Sequence, residues 1–309
     1  MITKKILLFL SGSICILLSC TETVPFDDFR RTGGNRYIEL SNGTTNYELS
    51  GDPAGTHVVV LLHGGTIPLC IWDPQIDALR SAGFRILRYD QYGRGFSERV
   101  KRCYSRDLYR EQLRELLDSL HLSAPVSFIG PSFGGAIAVS FAAKYPDRVR
   151  AIVLVSPVLN LFNSESPLVG PLSLLRKPLI GDLAYTLLMR RKIIARGRVL
   201  VPGGKKSLCD SSFVRQFTCK GTGHALLSQI RSDTYGDYRK ATRKVGHDSL
   251  PVLLLRGKND TEVTDAMIRQ VREDLPKCMF MEIEGGGHGA AVEVPEVFNR
   301  LVIEFLLQH

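Results

Sequence analysis

Tryptophan occurs once in these 309 residues and methionine five times, and no segment repeats itself along the chain. Without a repeat of about 20–50 residues the chain is not a solenoid or a propeller. Without a low-complexity stretch it is not a disordered array. No apolar run reaches the roughly 20 residues that a membrane-crossing helix needs. The seven cysteines (Cys15, Cys20, Cys70, Cys103, Cys209, Cys219 and Cys278) fall at no metal-ligand spacing. Acid is in short supply, with 31 Asp and Glu against 40 Lys and Arg, a net charge of +9. The basic residues are not interleaved with aromatics and match no binding motif, so nucleic acid is not an expected partner. What is there is ordinary globular material, 44% hydrophobic and 23% charged, enough for one large α/β domain or two small ones.

The first residues read as a targeting segment. Lys4 and Lys5 precede the apolar run ILLFLSGSICILL (6–18), which is short for a membrane span and proportioned like the h-region of an export signal. The run ends LLSC (17–20), which resembles a bacterial lipobox, where the cysteine after the cleavage point is acylated. That resemblance implies lipidation at Cys20 and a lipoprotein anchored to a bacterial membrane. A plainly cleaved signal, leaving a secreted or periplasmic protein, and an uncleaved anchor are the alternatives. Residues 21–34, polar and irregular, read as a tether. In an exported chain Cys209 and Cys219 are the nearest disulfide partners, and scattered free thiols are the alternative.

From residue 35 onward short apolar runs alternate with helical stretches. RYIEL (36–40) and NYELS (46–50) alternate like the strands of a hairpin, with NGTT between them as turn chemistry. HVVVLLH (57–63), FRILRYD (84–90), VSFIG (126–130), AIVLVS (151–156), VLLLRG (252–257) and MFMEIE (279–284) are further strand candidates. Helices are expected over 104–120, 133–145 and 294–308. Near-continuous apolar strands separated by helices predict a mostly parallel twisted sheet with helices on both faces.

Residues 157–248 break this rhythm. They are expected to form an inserted cap that divides the core into 35–156 and 249–309. The insertion holds sixteen Lys and Arg against six Asp and Glu, a balance of +10, so the charge of the whole molecule is the charge of this segment. A basic, apolar insertion suits an anionic lipid surface or acidic substrates. The alternative is a solvated helical face.

Within VSFIGPSFGGAIAVS (126–140), Gly130-Pro131-Ser132-Phe133-Gly134 is a G-x-S-x-G between a strand and a helix. That setting makes a nucleophile elbow, a sharp turn that lifts the serine oxygen out of the sheet. A phosphate-binding loop is the competing use of such glycines, but Pro131 has no N–H to offer and no lysine follows before Lys144. A serine hydroxyl needs a base, and the base needs an orienting carboxylate. Asp260, in the turn after strand 252–257, and His288, in GGGHGA (285–290), follow in that order and sit past C-terminal strand ends. Asp265 falls in the next helix, and the loop SPVLN (156–160) offers no acid. His57 and His63 precede the serine, His224 and His247 lie in the insertion, and His309 is the tail. For an oxyanion hole the backbone N–H of Phe133 is one donor, and the loop HGGT (63–66) supplies Gly65, with Thr66 as the alternative.

HGG after the third strand, DQYGRGFS (90–97), GPSFGG, RGKND and GGGH before PEVFNRLVIEFL together resemble the α/β-hydrolase superfamily, in its capped branch, over about residues 35–309. The resemblance implies a serine hydrolase that works without a metal or organic cofactor. It also implies that Asp90 pins its loop rather than reacting, and that serine as nucleophile sets the chain apart from dehalogenase-like and epoxide-hydrolase-like relatives. The expected activity is hydrolysis of a carboxylic ester or lipid, with the acyl chain under the cap. Amide, thioester or carbon–carbon bond hydrolysis, or a catalytically silent surface-binding protein on the same scaffold, are the alternatives.

Overall fold

The computed structural model describes residues 22–248 and 250–309, so the signal segment and Cys20 lie outside the described residues. A short helix, α1 (Phe26–Arg30), leads into strands β1 (Arg36–Leu40) and β2 (Gly43–Ser50). There follow β3 (Val58–Leu62), α2 (Asp73–Ser81), β4 (Arg85–Tyr89), α3 (Arg106–Ser119), β5 (Val126–Pro131), α4 (Phe133–Lys144) and β6 (Val149–Val155). The strands form one eight-stranded sheet in the order β1-β2-β4-β3-β5-β6, closed at the far side by β7 (Val252–Gly257) and β8 (Met279–Ile283). The pairings of β2 with β1 and with β4 are antiparallel, and the other pairings are parallel. This is the α/β-hydrolase arrangement that the motifs imply. The first hairpin is tighter than expected: Gly43, Thr44 and Thr45 already belong to β2, leaving Ser41 and Asn42 as the turn.

Successive residues of a strand point to opposite faces, and both faces of this sheet are covered. Val60, Leu62, Phe128, Ile152 and Leu254 pack on one side, while Val59, Leu61, Ile129, Val153 and Leu255 pack on the other. That is why these strands are apolar at every position instead of at every second one. The helix α4 lies against this sheet and is buried from Phe133 to Ala142, so its small residues (Gly134, Gly135, Ala136, Ala138) let strand and helix approach closely.

Between β6 and β7 the described residues form no strand. It runs through α5 (Val169–Arg176), α6 (Ile180–Ala184), a π-helical turn (Tyr185–Met189), α7 (Arg190–Gly197), α8 (Leu208–Arg215), α9 (Thr222–Arg231) and α10 (Arg239–His247). After β7 come α11 (Asp265–Asp274), the edge strand β8, α12 (Ala290–Glu293) and α13 (Pro295–Gln308).

Two expectations fail here. The disulfide joins Cys209 to Cys70, 139 residues away, and not to Cys219, which stays a buried thiol. Sequence proximity misled because α8 turns Cys209 toward the core, next to the loop that follows β3. Nor is the stretch from Glu22 a loose tether. Glu22 accepts the Gly221 and Gly223 amides at the start of α9, Val24 bridges Cys219, and Phe29 stacks on Phe96 with ring centroids 5.0 Å apart. A few apolar residues in a polar stretch are enough to dock it.

Candidate active site

Ser132 sits between β5 and α4 with φ 50° and ψ −118°, a backbone conformation that L-residues rarely adopt. Its neighbours hold it there. Ser132 donates its amide to the Val155 carbonyl at 2.9 Å, and its own carbonyl accepts from Val158 and Gly135. A Cβ on Gly130 would stand 2.5 Å from the Gly134 carbonyl carbon, and one on Gly134 would strike the Leu62 carbonyl oxygen. The two glycines are therefore required by the tightness of the turn. Phe133 opens α4, and the first amides of a helix have no acceptor in a preceding turn.

His288 and Asp260 come together from the two loops at the end of β7 and β8. The His288 Nδ1 is 3.0 Å from Asp260 Oδ2, and the Asp260 side chain is fully buried. The other carboxylate oxygen accepts the amides of Glu262 at 2.8 Å and Val263 at 3.1 Å. Burial pushes the Asp260 carboxyl up, but the bond to His288, its charge and the Val263 amide outweigh that and hold the group below its ordinary value. Asp260 is thus a fixed anion that orients the ring and leaves Nε2 facing away from it. Asp265 is elsewhere engaged, paired with Arg256 on the outside of the sheet. The sequence gives no warning of Glu262, whose carboxylate lies 3.4 Å from His288 Nε2 and is ion-paired with Arg196 of the cap.

The loop after β3 is positioned by a histidine that precedes the serine in the chain. His63 is fully buried, and the Gln91 amide donates to its Nε2 at 3.0 Å. The ring proton is therefore on Nδ1, which donates to the Gly64 carbonyl at 2.8 Å. Burial holds the ring neutral by lowering its pKa to about 3. In a trans peptide the C=O and the following N–H point in opposite directions, so the His63 bond turns the Gly65 N–H away from His63. The Gly65 carbonyl in turn accepts Arg94 Nε–H at 2.7 Å, which fixes the Thr66 amide in the same way. Asp90 anchors this loop from below, one oxygen accepting Leu69 N–H and the other Phe96 N–H and Asn46. It is buried and does not face the serine's cavity.

Gly64, Gly65, Ser132 and His288 all line one cavity of about 210 Å³. Its walls are mostly apolar, and Leu168, Leu172, Ile193, Leu200, Leu226 and Ile230 come from the insertion. Besides Thr66, Ser132 and His288, the polar exceptions are Arg94, Arg196, Gln229, Tyr235 and Glu262. Of these only Arg94 stood inside a motif legible in the sequence. The cap residues carry no local pattern that points to a pocket.

A sequence model of the alpha/beta hydrolase fold family matches residues 57–295. The chain belongs to this family. It is 26% identical over 285 residues to a 2-hydroxy-6-oxononadienedioate/2-hydroxy-6-oxononatrienedioate hydrolase of Cupriavidus pinatubonensis, a match that covers 89% of this chain and 96% of that protein. It is 24% identical over 284 residues to a 2-(acetamidomethylene)succinate hydrolase of Mesorhizobium japonicum, covering 88% and 95%. The crystal structure of a bromoperoxidase from Bacillus anthracis has a TM-score of 0.72 at 22% identity, covering 88% of this chain and 99% of that one, a likeness of fold. The Cupriavidus and Mesorhizobium relatives are both hydrolases, and this chain is an enzyme of the alpha/beta hydrolase family.

Proposed function

We propose that this enzyme is a serine hydrolase that cleaves a carboxylic ester through an acyl-enzyme. The observation that carries the reading is the meeting of a strained serine with the His288–Asp260 pair in one apolar cavity. Ser132 Oγ attacks the carbonyl carbon while its proton passes to His288 Nε2. The amides of Phe133 and Gly65 stabilise the oxyanion, and Asp260 stabilises the imidazolium. Collapse expels the alcohol, which takes the proton from His288. Water, deprotonated by the same nitrogen, then releases the acid and restores Ser132. No step calls for a metal or an organic cofactor. A fluorophosphonate probe should label the wild-type protein and not Ser132→Ala, and a series of p-nitrophenyl esters should show the chain length that the cavity accepts. An unlabelled wild type would overturn the reading.

Carbon–carbon bond hydrolysis is the second reading, favoured by the activity for which the Cupriavidus relative is named. It predicts turnover of a vinylogous diketone acid with little turnover of any simple ester. For location we propose export and anchoring through a lipidated Cys20, a reading supported by the Cys70–Cys209 disulfide, since such bonds persist in oxidising compartments. The exposed basic face of the cap would then rest on anionic lipid.

A further inference from the structure

Arg94 is 3% exposed and lines the cavity, yet its partners are all neutral. Nε donates to the Gly65 carbonyl at 2.7 Å, Nη1 to the Gly93 carbonyl at 3.0 Å, and Nη2 to Gln229 Oε1. A guanidinium has five N–H donors, so two remain. Arg196, Arg198 and Arg231 of the cap have the carboxylates of Glu262, Asp210 and Asp182. Arg99, the other buried guanidinium at this seam, has four neutral acceptors (Thr222, Gly95, Ser97 and Gln216) where Arg94 has three and an open cavity beside it. A buried cation faced only by neutral oxygens is costly until an anion completes it.

Gln229 supplies an independent observation. It is 1% exposed, it lines the same cavity, and its Nε2 has no hydrogen-bond partner. The amide is not free to turn over, because its oxygen accepts from Arg94 and the reverse orientation would set donor against donor. A buried amide donor without an acceptor is as unfavourable as an uncompensated charge is, on a smaller scale. Both groups are completed by one ligand. A carboxylate has two oxygens and about four acceptor sites, enough for a free Arg94 N–H on one oxygen and the Gln229 amide on the other.

We propose that Arg94 and Gln229 form an acid-binding subsite, and that the substrate carries a carboxylate a few bonds from its reacting carbonyl. The spacing follows from Gly65. Arg94 holds the Gly65 carbonyl, while the N–H of the same residue is the oxyanion donor, so the two groups of the substrate are held on either side of one residue. Tyr235 closes this end, since a Cβ on Gly65 would stand 2.9 Å from its hydroxyl oxygen. Apart from Thr66 and Arg196, whose charge Glu262 already neutralises, the remaining wall is largely apolar, so an acid is best completed at Arg94 and Gln229. This subsite rests on the hydrolase reading for its reacting carbonyl, but not for its binding.

The experiment compares monomethyl succinate with methyl butyrate, which differ in the terminal carboxylate. In the wild type kcat/KM for the acid ester should exceed that for the neutral ester by about tenfold or more, the scale of one charge-assisted contact. Gln229→Glu places a carboxylate beside Arg94 at unchanged length and should bring the ratio to one or below. Gln229→Leu, which adds no charge, should lower the ratio by a smaller factor, and fluorophosphonate labelling reports that either variant is folded. Equal kcat/KM values in the wild type, or a ratio that neither substitution moves, would overturn the subsite. Calorimetry on Ser132→Ala separates the two readings: monomethyl succinate should bind, and binding should disappear in Ser132→Ala with Gln229→Glu. A labelled enzyme without acid preference keeps the hydrolase and loses the subsite. An unlabelled protein that binds the acid through Gln229 keeps the subsite and loses the hydrolase.

Discussion

The sheet and the cap use similar residues but are held together differently. Each central strand contributes to both faces of the sheet, and the apolar layers on either side are continuous. The cap buries smaller groups, one around Phe213 and Phe217 and one around Tyr185, Leu226 and Ile230. It is fastened to the core by directional ties. Gln216 accepts the Gly95 amide and donates to the Thr66 carbonyl, Arg99 donates to the Gln216 carbonyl and to Thr222, and Cys209 is bonded to Cys70. Non-directional burial in the core sets the position of the chemistry, while specific bonds set the position of the roof. Substitutions in the two regions should therefore fail in different ways.

The largest effect is expected at the floor of the cavity. Ser132→Ala and His288→Ala should each lower kcat on a p-nitrophenyl ester by about 10⁶-fold, and Asp260→Asn by about 10⁴-fold, as in other triads. The thermal midpoint should hardly move for Ser132→Ala, because no packing is removed. If Asp265→Asn were more damaging than Asp260→Asn, the acid would be wrongly placed.

That floor was legible in the sequence because it obeys local rules. Strand β5, the G-x-S-x-G turn and helix α4 are adjacent in the chain, and the strand ends that carry Asp260 and His288 follow from apolar runs. The roof was not legible. Cys70 with Cys209 and Arg94 with Gln229 are paired across 139 and 135 residues, and nothing local marks either pair. Glu22 and Phe29 escaped notice for a related reason, since their docking depends on a surface made by α9 and the loop of Phe96.

Cutting one tie tests the roof. Cys209→Ser opens a loop of 139 residues and should cost about 2–5 kcal/mol by the loop-entropy argument. The loss should be read by chemical denaturation under oxidising conditions. It should also raise KM more than it lowers kcat, because the floor is untouched. An unchanged denaturation midpoint would mean that the cap holds its place without the bond.

Acid should act on the core first. Burial lowers the pKa of His57 to about 4, with Arg150 adding to the effect, and that of His63 to about 3. Both lie below the unfolded value of about 6.5, so the unfolded chain binds protons that the native chain does not. Stability is then complete above about pH 6.5 and falls as pH drops through the interval down to the folded values. For fully buried His63 the loss is about 2–3 kcal/mol over the first two pH units. Below about pH 4 the depressed carboxyl of Asp260 adds a further loss of the same sign. His57→Gln should make the thermal midpoint less sensitive between pH 6.5 and 4.5, a change read by calorimetry. A midpoint that is flat over this range in the wild type would contradict the neutral rings of half-buried His57 and buried His63.

The smallest effect is expected on the outside of the cap. Helices α6 and α7 and the π-turn between them run on as one rod, and Ile180, Leu183, Leu187 and Leu188 are exposed along it. Arg191 and Lys192 follow directly and are exposed, while Arg190 is turned inward to the Phe217 carbonyl. Apolar side chains beside unneutralised cations suit a bilayer surface better than they suit water. Each cation near an anionic surface contributes about 1 kcal/mol, an attraction screened within a Debye length of about 8 Å at physiological salt. The chain lacking residues 1–20 should therefore hydrolyse an ester embedded in anionic vesicles several-fold faster than in neutral ones, and the advantage should shrink as salt rises. Arg191→Gln with Lys192→Gln should remove most of it while leaving turnover of a soluble short ester unchanged, since neither residue lines the cavity. Equal rates on both kinds of vesicle at low salt would make this face a solvated surface, no different in its role from the outer helices of the core.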